Sequence, residues 1–176
     1  MSCFSKNGAV AVAAKVGGAF KTVSIDLSSK NIAKAKENFE LNNIAAQKQE
    51  IRAMDIMGYL DYAQKHHIMF DVVVLDPPVF VRGKKNSFSL NKDYFDLIQM
   101  ALQSVKDDGT MILTANSASI SMKRFKQVVM DAFVDADFHY EVEETYRAAE
   151  DFAVNKSFAK GNTFKAIVLN VSKGRE

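Results

Sequence analysis

The sequence predicts an α/β fold of the Rossmann-like type, with a mostly parallel sheet, an antiparallel C-terminal hairpin and a short or missing first strand. Helical and strand patterns alternate along the chain, which favours a parallel sheet covered by helices. Residues 72–75 form an apolar run, Val-Val-Val-Leu, typical of a strand buried on both faces. The last two strand patterns have no helix between them, which indicates an antiparallel pair.

Length and composition limit the classes of protein to which this chain can belong. The 176 residues suit a single domain over residues 1–176, and a net charge of +2 permits a nucleic-acid partner without requiring one. The single cysteine, Cys3, excludes a disulfide within the chain and favours a reducing, cytoplasmic setting. No apolar run is long enough to span a bilayer, so we expect no membrane partner. The oligomeric state stays open.

The predicted elements follow their start and stop signals in order. Ser28 and Asp55 are N-cap residues, Gly17 and Gly18 are candidate C-caps, and Asn42 with Asn43 makes a plausible helix stop. A turn is predicted over 106–109, and the loop over 146–163 is long enough to suspect a function. Helices are predicted over 8–15, from Ser28 to Asn42, and over 56–66, 93–105 and 121–135; strands are predicted over 21–26, 48–53, 70–75, 110–115, 139–145 and 164–171.

The segment Asp76-Pro77-Pro78-Val79-Phe80 follows the strongest strand directly. Because neither proline has an N–H to donate, the sheet ladder cannot continue through this segment, and the chain must leave the sheet. Ligands in open α/β folds bind just outside the carboxyl ends of the strands. Asp76 therefore lies where chemistry is expected, and the Phe80 ring could stack on a planar substrate.

Three acids, Asp26, Asp55 and Asp76, lie at or just past the ends of successive strands. An acid after a glycine-containing turn can bind a ribose diol, and Asp26 follows Gly8 by eighteen residues. Asp55 could bind an adenine amino group while Ile56 covers the ring. The alternative is that each acid caps the next helix. Three such acids at the ends of successive strands favour a nucleotide-like cofactor. Because the G-x-G-x-x-G pattern that binds a pyrophosphate is missing, an adenosyl group without phosphates is favoured.

Several segments together resemble a known family, the class I S-adenosylmethionine-dependent methyltransferases. The Asp-Pro-Pro-x-Phe segment is similar to the motif found in members that methylate nucleic-acid bases. As a set, the segments resemble the catalytic domains of bacterial 23S ribosomal RNA methyltransferases of the cytosine-C5 and guanine-N7 group. These segments are F-S-x-x-G (4–8), S-I-D-L-S (24–28), A-K-E-N-F-E-L-N (35–42), L-D-P-P-V-F (75–80), F-S-L-N-K-D-Y (88–94) and D-F-A-V-N (151–155).

The resemblance implies a role for each matching residue and names S-adenosylmethionine as the cofactor and RNA as the partner. The basic residues that follow the Asp-Pro-Pro segment suit RNA phosphates, although a solvated charge run is the plainer interpretation. The implied sets are Phe4, Ser5 and Gly8 for the methionine side of the cofactor; Asp26 for its ribose; Asp55 and Ile56 for its adenine; Asp76, Pro77, Pro78 and Phe80 for the target base; and Arg82, Lys84, Lys85 and Lys92 for RNA.

The sequence departs from the cytosine-C5 members at Asn116. Cytosine C5 becomes nucleophilic only after a thiolate adds to C6, and the expected cysteine position after the fifth strand is Asn116 here. Cys3 lies elsewhere and is expected to be a small core residue. We therefore expect a nitrogen acceptor, with Asn116 and Asp76 binding the edge of an extruded base. The segment 151–155 resembles that of the guanine-N7 relatives, which favours guanine.

Two other functions stay open at this stage. An Asp-Pro-Pro-aromatic loop can hold any planar amide, so the chain could methylate a protein side-chain amide instead. It could also be a catalytically idle remnant that binds RNA or the cofactor. His66 and His67 lie at a helix end without other ligands nearby in sequence, so we expect a C-terminal cap and no metal site.

The start of the chain departs from the family pattern as well. A central strand should precede the first helix, and only residues 1–4 are available for it, before which longer relatives carry an RNA-binding region. Either these residues form a stunted strand, or the chain is a fragment or truncated product. Because a missing central strand would leave backbone groups unpaired on both neighbours, we expect weak cofactor binding and reduced stability.

Overall fold

The computed structural model describes residues 1–82, 87–149, 157–158 and 161–174. Its main sheet has seven strands in the order β3-β2-β1-β4-β7-β9-β8, and β5 and β6 form a separate two-stranded ribbon. The strands are β1 (Ser2–Cys3), β2 (Val23–Asp26), β3 (Glu50–Ala53), β4 (Phe70–Leu75), β5 (Phe80–Arg82), β6 (Ser87–Ser89), β7 (Val105–Asn116), β8 (Phe138–Arg147) and β9 (Phe164–Lys173).

The fold class is as predicted. Strands β3, β2, β1, β4 and β7 are parallel, and β9 runs antiparallel to both β7 and β8. The parallel strands all present their carboxyl ends at one edge, called the carboxyl edge below. The helices are α1 (Ala9–Val16), α2 (Ser29–Leu41), α3 (Ile56–Lys65), α4 (Leu90–Leu102) and α5 (Met122–Asp135).

Helices cover the sheet in two layers. Side chains of α3, α4 and α5 pack with the sheet in one large apolar cluster that includes Tyr59, Leu97 and Phe133, all fully buried. A second, smaller cluster joins α1 to α2 through Val12 and Phe39. Each helix that follows a parallel strand therefore begins at the carboxyl edge, where the strand ends.

The stunted first strand is confirmed. Ser2 pairs with Ser24 of β2 and Val74 of β4, and Cys3 pairs with Ile25 and Leu75. Two residues are thus enough to connect β2 to β4 near the carboxyl edge. The prediction of weak cofactor binding stays a prediction.

The prediction that the apolar run 72–75 is covered on both faces is wrong at its first residue. Val73 and Leu75 are fully buried, but Val72 is 43% exposed. Unlike Val73 and Leu75, Val72 belongs to neither of the apolar clusters found among the described residues.

Two predicted boundaries also need correction. Helix α4 spans Leu90–Leu102 and not 93–105, because Ser89 takes the N-cap position and the chain enters β7 at Val105. Residues 106–109, predicted as a turn, lie within β7. Between two successive pairings of these strands, β7 runs from Val105 to Thr110, whereas β4 runs only from Phe70 to Val72. The extra residues form a bulge.

No helix in the described part of the chain is long and apolar enough to cross a membrane.

Candidate active site

A cavity of about 630 Å³ opens at the carboxyl edge, beside the ends of β2 and β3. Its size is typical of small-molecule sites, which range from about 300 to 1,000 Å³. Acids, cations and apolar side chains all line it, and two of the predicted cofactor acids are among them. The lining residues that matter below are Phe4, Lys6, Asp26, Asp55, Ile56, Pro78, Arg82, Asp93 and Asp96.

Asp26 ends β2 and faces this cavity. Its Oδ2 accepts from the backbone N–H of Lys6 at 2.9 Å, and its Oδ1 accepts from the backbone N–H of Ser28 and from Asn31 Nδ2. Ser28, and not Asp26, caps α2, so the capping alternative is wrong for Asp26. Three donors fix the carboxylate and leave it acceptor capacity for a ligand.

Asp55 is both a helix N-cap and a residue of the cavity, the two roles that the sequence left open. Its Oδ2 accepts from the Gly58 N–H at 3.0 Å, which makes it the N-cap of α3, and the residue also lines the cavity. Ile56, the next residue, is buried and lines the same cavity. A capping carboxylate still carries a second oxygen, so the cap and a ligand contact are compatible.

Some residues of the turn before α1 line the cavity, and others do not. Phe4 and Lys6 line the cavity and both have positive φ angles, 57° and 50°. Ser5 is buried between them, and its Oγ has no hydrogen-bond partner among the described residues. Gly8 does not line the cavity, because the position where it lacks a Cβ faces Ala35 of α2 at 2.9 Å. The space that Gly8 provides is used for helix packing.

Asp76 is held by two side chains from distant parts of the chain. Its Oδ2 forms an ion pair with Lys6 Nζ at 3.1 Å, and its Oδ1 accepts from Thr114 Oγ1 at 2.5 Å. Thr114 O in turn accepts from the hydroxyl of the buried Tyr94. The backbone N–H of Lys6 also donates to Asp26. Lys6 therefore connects Asp26, which lines the cavity, to Asp76, which begins the Asp-Pro-Pro segment.

The rest of the Asp-Pro-Pro segment forms one wall of the site. Pro77 is buried, Pro78 lines the cavity, and the Phe80 side chain is 58% exposed in β5. The Val79 carbonyl accepts from the Leu90 N–H at 3.0 Å, which ties the segment to the start of α4. Phe80 is therefore an exposed aromatic side chain in the strand that follows the two prolines.

Asn116 ends β7 on the same strand face as Thr114, two residues earlier. Its Oδ1 accepts from Thr163 Oγ1 at 2.5 Å. Beside it lies Lys165, which is only 3% exposed and donates from Nζ to the carbonyls of Ser117 at 2.9 Å and Thr163 at 2.6 Å. Burial lowers the pKa of Lys165, and Arg147 adds to the effect. Lys165 thus connects Ser117, which follows Asn116, to Thr163, whose hydroxyl donates to Asn116.

The predicted RNA-binding residues lie in different places. Arg82, exposed at the end of β5, lines the large cavity, whereas Lys92 is exposed in the first turn of α4. Lys84, Lys85 and the 151–155 segment lie outside the described residues. His66 is the C-cap of α3, as predicted. No grouping of three or more potential metal ligands occurs within 1–82, 87–149, 157–158 and 161–174.

S-adenosylmethionine fits the donor set of this cavity. The carboxylates of Asp26 and Asp55 can accept from ribose hydroxyls and an adenine amine, and Ile56 offers an apolar surface to a ring. Phe4 and Lys6 line the same cavity, whereas Ser5, whose buried hydroxyl has no partner among the described residues, does not line it.

Sequence reasoning missed Lys6, Tyr94, Thr114 and Lys165. Lys6 occupies an unspecified position of the F-S-x-x-G segment, and nothing in the sequence indicates that it reaches Asp76, 70 residues later. Lys165 did carry a signal: it is a lone charge in the apolar strand Phe-Lys-Ala-Ile-Val-Leu. A charge inside such a strand indicates either an edge position or a satisfied buried group.

Relatives that match this chain include proteins named as large-subunit ribosomal RNA methyltransferases. Bacillus subtilis YwbD, provisionally named as one of them, is 37% identical over 169 residues, covering 96% of this chain and 43% of YwbD. "Ribosomal RNA large subunit methyltransferase I" of Salmonella paratyphi B is 30% identical over 171 residues, covering 97% of this chain and 42% of that protein. The chain thus spans less than half the length of these curated relatives.

A solved structure agrees with the fold and with the cofactor. SMU.776, provisionally described as a methyltransferase and crystallised with S-adenosylhomocysteine (SAH), matches with a TM-score of 0.88 at 31% identity, covering 96% of this chain and 44% of that one. The model of the S-adenosylmethionine-dependent methyltransferase family matches residues 1–155. The chain therefore belongs to the S-adenosylmethionine-dependent methyltransferase family.

Proposed function

We propose that this chain transfers a methyl group from S-adenosylmethionine to a ring or exocyclic nitrogen of a base, favouring guanine, in large-subunit ribosomal RNA. The observation that carries the proposal is the position of Asp76, fixed by Lys6 and Thr114 between the cofactor cavity and Asn116. The RNA substrate is supported by the names of the relatives. Such a substrate would place the protein in the cytoplasm.

Asp26, Asp55 and Ile56 would bind the adenosyl part of the cofactor. Asp26 would accept from the ribose hydroxyls, while Asp55 would accept from the adenine amine and Ile56 would cover the ring. Phe4 and Ser5 would contact the methionine side. Gly8 acts indirectly, since its lack of a side chain lets α1 approach Ala35 of α2 and so sets the turn in place.

Asp76, Asn116 and Phe80 would hold the target base. The two polar side chains can hydrogen-bond the edge of an extruded base, and the exposed Phe80 ring can stack on its face, with Pro77 and Pro78 keeping the loop stiff. When bound, S-adenosylmethionine supplies a methyl group on a sulfonium, so the base nitrogen forms the new C–N bond and the electrons of the broken S–C bond stay on sulfur. Positioning and stabilisation of developing charge are then sufficient.

The single cysteine supports nitrogen over carbon as the acceptor. Cys3 is fully buried in β1, and burial raises the pKa of its thiol to about 12. A thiol in that state cannot add to the C6 atom of a cytosine. The chemistry available to this chain is therefore that of an acceptor with its own lone pair.

Mass spectrometry of ribosomal RNA nucleosides tests the proposed function. Ribosomal RNA from cells without the gene would be incubated with the chain and methyl-deuterated S-adenosylmethionine. We expect a deuterated methylguanosine that is also present in RNA from cells with the gene. Label in 5-methylcytidine would contradict the nitrogen assignment, and label in ribosomal protein with none in RNA would contradict the RNA substrate.

The variant Asp76→Ala tests the assignment of Asp76 to the target pocket. Methyl transfer should fall by about a hundredfold or more, the effect of removing one positioned polar group from a transition state. SAH affinity, measured by calorimetry, should change little. The control is Asp71→Ala, which removes an exposed carboxylate of β4, the strand that precedes Asp76, where it is paired with Lys106. Equal losses of transfer and SAH affinity in Asp76→Ala would contradict the assignment.

A further inference from the structure

A second cavity, of about 220 Å³, lies between the first turns of α4 and α5. Its floor is apolar and includes the buried side chains of Ile120 and Phe125. Its rim is polar and cationic, formed by Asn91, Lys92, Ser119 and Arg124. We call this the basic cavity.

The charge of the basic cavity is not neutralised locally. No carboxylate lines it, and neither Lys92 nor Arg124 has a salt-bridge partner in the part of the chain that the structure describes. The cofactor cavity is different, because Asp26, Asp55, Asp93 and Asp96 line it. Helix α4 contributes to both, with Asp93 and Asp96 lining one and Lys92 lining the other. The two cavities therefore present opposite charge to ligands that approach the same edge.

Hydrogen bonds connect the basic cavity to the target site. Asn91 Nδ2 donates to Ser119 Oγ at 3.2 Å, and the Ser119 and Ser117 hydroxyls lie 2.8 Å apart. Ser117 directly follows Asn116. The Cα atoms of Asn116 and Ser119 are three residues apart in sequence, so they can be separated by at most about 11 Å. On the opposite wall, Tyr94 donates to Thr114 O, and Thr114 donates to Asp76.

We propose that the basic cavity binds a backbone phosphate of the RNA, from a nucleotide adjacent to the one that is methylated. Arg124 and Lys92 would pair with the phosphate oxygens, and Asn91 and Ser119 would hydrogen-bond the phosphate or its ribose. Such a contact positions the strand without reading its sequence. It rests on the proposed function, because only a polyanionic substrate places a phosphate this close to the target base.

The variant Arg124→Gln tests the phosphate site in the full chain. The probe is a fluorescein-labelled transcript of 23S ribosomal RNA, titrated at several salt concentrations. We expect the affinity to fall about two- to fivefold, as for one exposed charge contact. The slope of log affinity against log salt should become shallower by about 0.7. SAH affinity should not change. The control is Lys126→Gln, an exposed cation of the same helix that does not line the cavity.

The outcomes separate this site from the proposed function. If the wild-type chain methylates RNA and Arg124→Gln has the same RNA affinity and salt slope as Lys126→Gln, the phosphate site is wrong and the function stands. If the wild-type chain neither binds nor methylates RNA, both are wrong. Competition by inorganic phosphate that weakens RNA binding of wild type but not of Arg124→Gln would support the site.

Discussion

Lys165, which lies beside Asn116, is an unusual side chain because it is a buried amine. A buried ammonium is normally paired with a carboxylate, because removing a charge from water is costly. In the described structure its Nζ meets two backbone carbonyls, those of Ser117 and Thr163. Burial lowers the pKa of this amine. The two hydrogen bonds offset part of the cost of burying the amine, and they fix the segments on both sides of Asn116, which points to a positioning role.

The variant Lys165→Met should separate positioning from cofactor binding. Loss of the two hydrogen bonds frees the segments around Asn116, so the single-turnover rate of methyl transfer should fall roughly ten- to hundredfold. SAH affinity should stay near that of wild type, since Lys165 does not line the cofactor cavity. Lys173→Met, which removes an exposed lysine of the same strand, is the control. A parallel fall in rate and SAH affinity would indicate general damage to the fold instead.

Cys3 should make the stability of the chain sensitive to alkaline pH. Burial raises the pKa of its thiol from 9.0 to about 12, so above pH 9 the unfolded chain loses this proton while the folded chain keeps it. Stability is therefore lost as pH rises from 9 toward 12, by about 2 kcal/mol at a pH near 10.5. Urea unfolding at pH 8 and 10.5 measures the loss. It should be smaller by that amount in Cys3→Ala, and an identical pH dependence in both proteins would contradict the expectation.

At the scale of residues, the sequence located the acids but not their partners. Asp26 and Asp76 were predictable because each ends an apolar strand pattern, and that pattern fixes the edge at which they lie. The Lys6–Asp76 ion pair was not, since it joins two loops that meet only when β1 and β4 pair. Asn116 was predicted from its alignment with a family position, and Thr163, which donates to it, was not.

At the scale of elements, the contact between α1 and α2 depends on one glycine. Gly8 has a φ of +75°, and a Cβ at this position would lie 2.9 Å from the Cβ of Ala35 and 3.2 Å from its Cα. Ala35 is fully buried, so it has little room to move. Gly18 also has a positive φ, +97°, but a Cβ there would meet nothing within 4 Å.

This pair of glycines allows backbone strain and steric overlap to be measured separately. Gly18→Ala should lower the free energy of unfolding by about 1 kcal/mol, the strain of a left-handed residue alone. Gly8→Ala should lower it by roughly 2–4 kcal/mol, because the overlap with Ala35 adds to the strain. Urea unfolding gives both values. Equal losses would mean that α1 and α2 move apart at little cost and that Gly8 does not set their distance.

The elements that sequence patterns misjudged are those that depend on a neighbour. Val72 belongs to a buried-strand pattern, yet it is exposed, and it packs into neither apolar cluster of the described structure. Residues 106–109 have the composition of a turn, and they do leave the regular ladder, but β4 pairs with the residues on either side of them, Val105 and Thr110, so they form a bulge within β7. Patterns within one segment cannot report which other segments pack against it.

At the scale of the whole molecule, alternating strands and helices were sufficient to predict the sheet and its carboxyl edge. The same alternation starts α4 at that edge, next to the Asp-Pro-Pro segment, and so places it between two cavities. The cofactor cavity was predictable only in part, and the basic cavity was not, because each is lined by residues that are far apart in sequence. Phe4 and Asp96, for example, line the cofactor cavity together.

The acidic lining of the cofactor cavity has a consequence for turnover. Four carboxylates and two cationic side chains line it among the described residues. S-adenosylmethionine carries a net positive charge because of its sulfonium, and the product SAH, a thioether, does not. In the proposed site, Coulomb attraction would hold the reactant more strongly than the product, and transfer of the methyl group would itself weaken the binding of what remains. The same charge would repel the phosphate backbone of RNA.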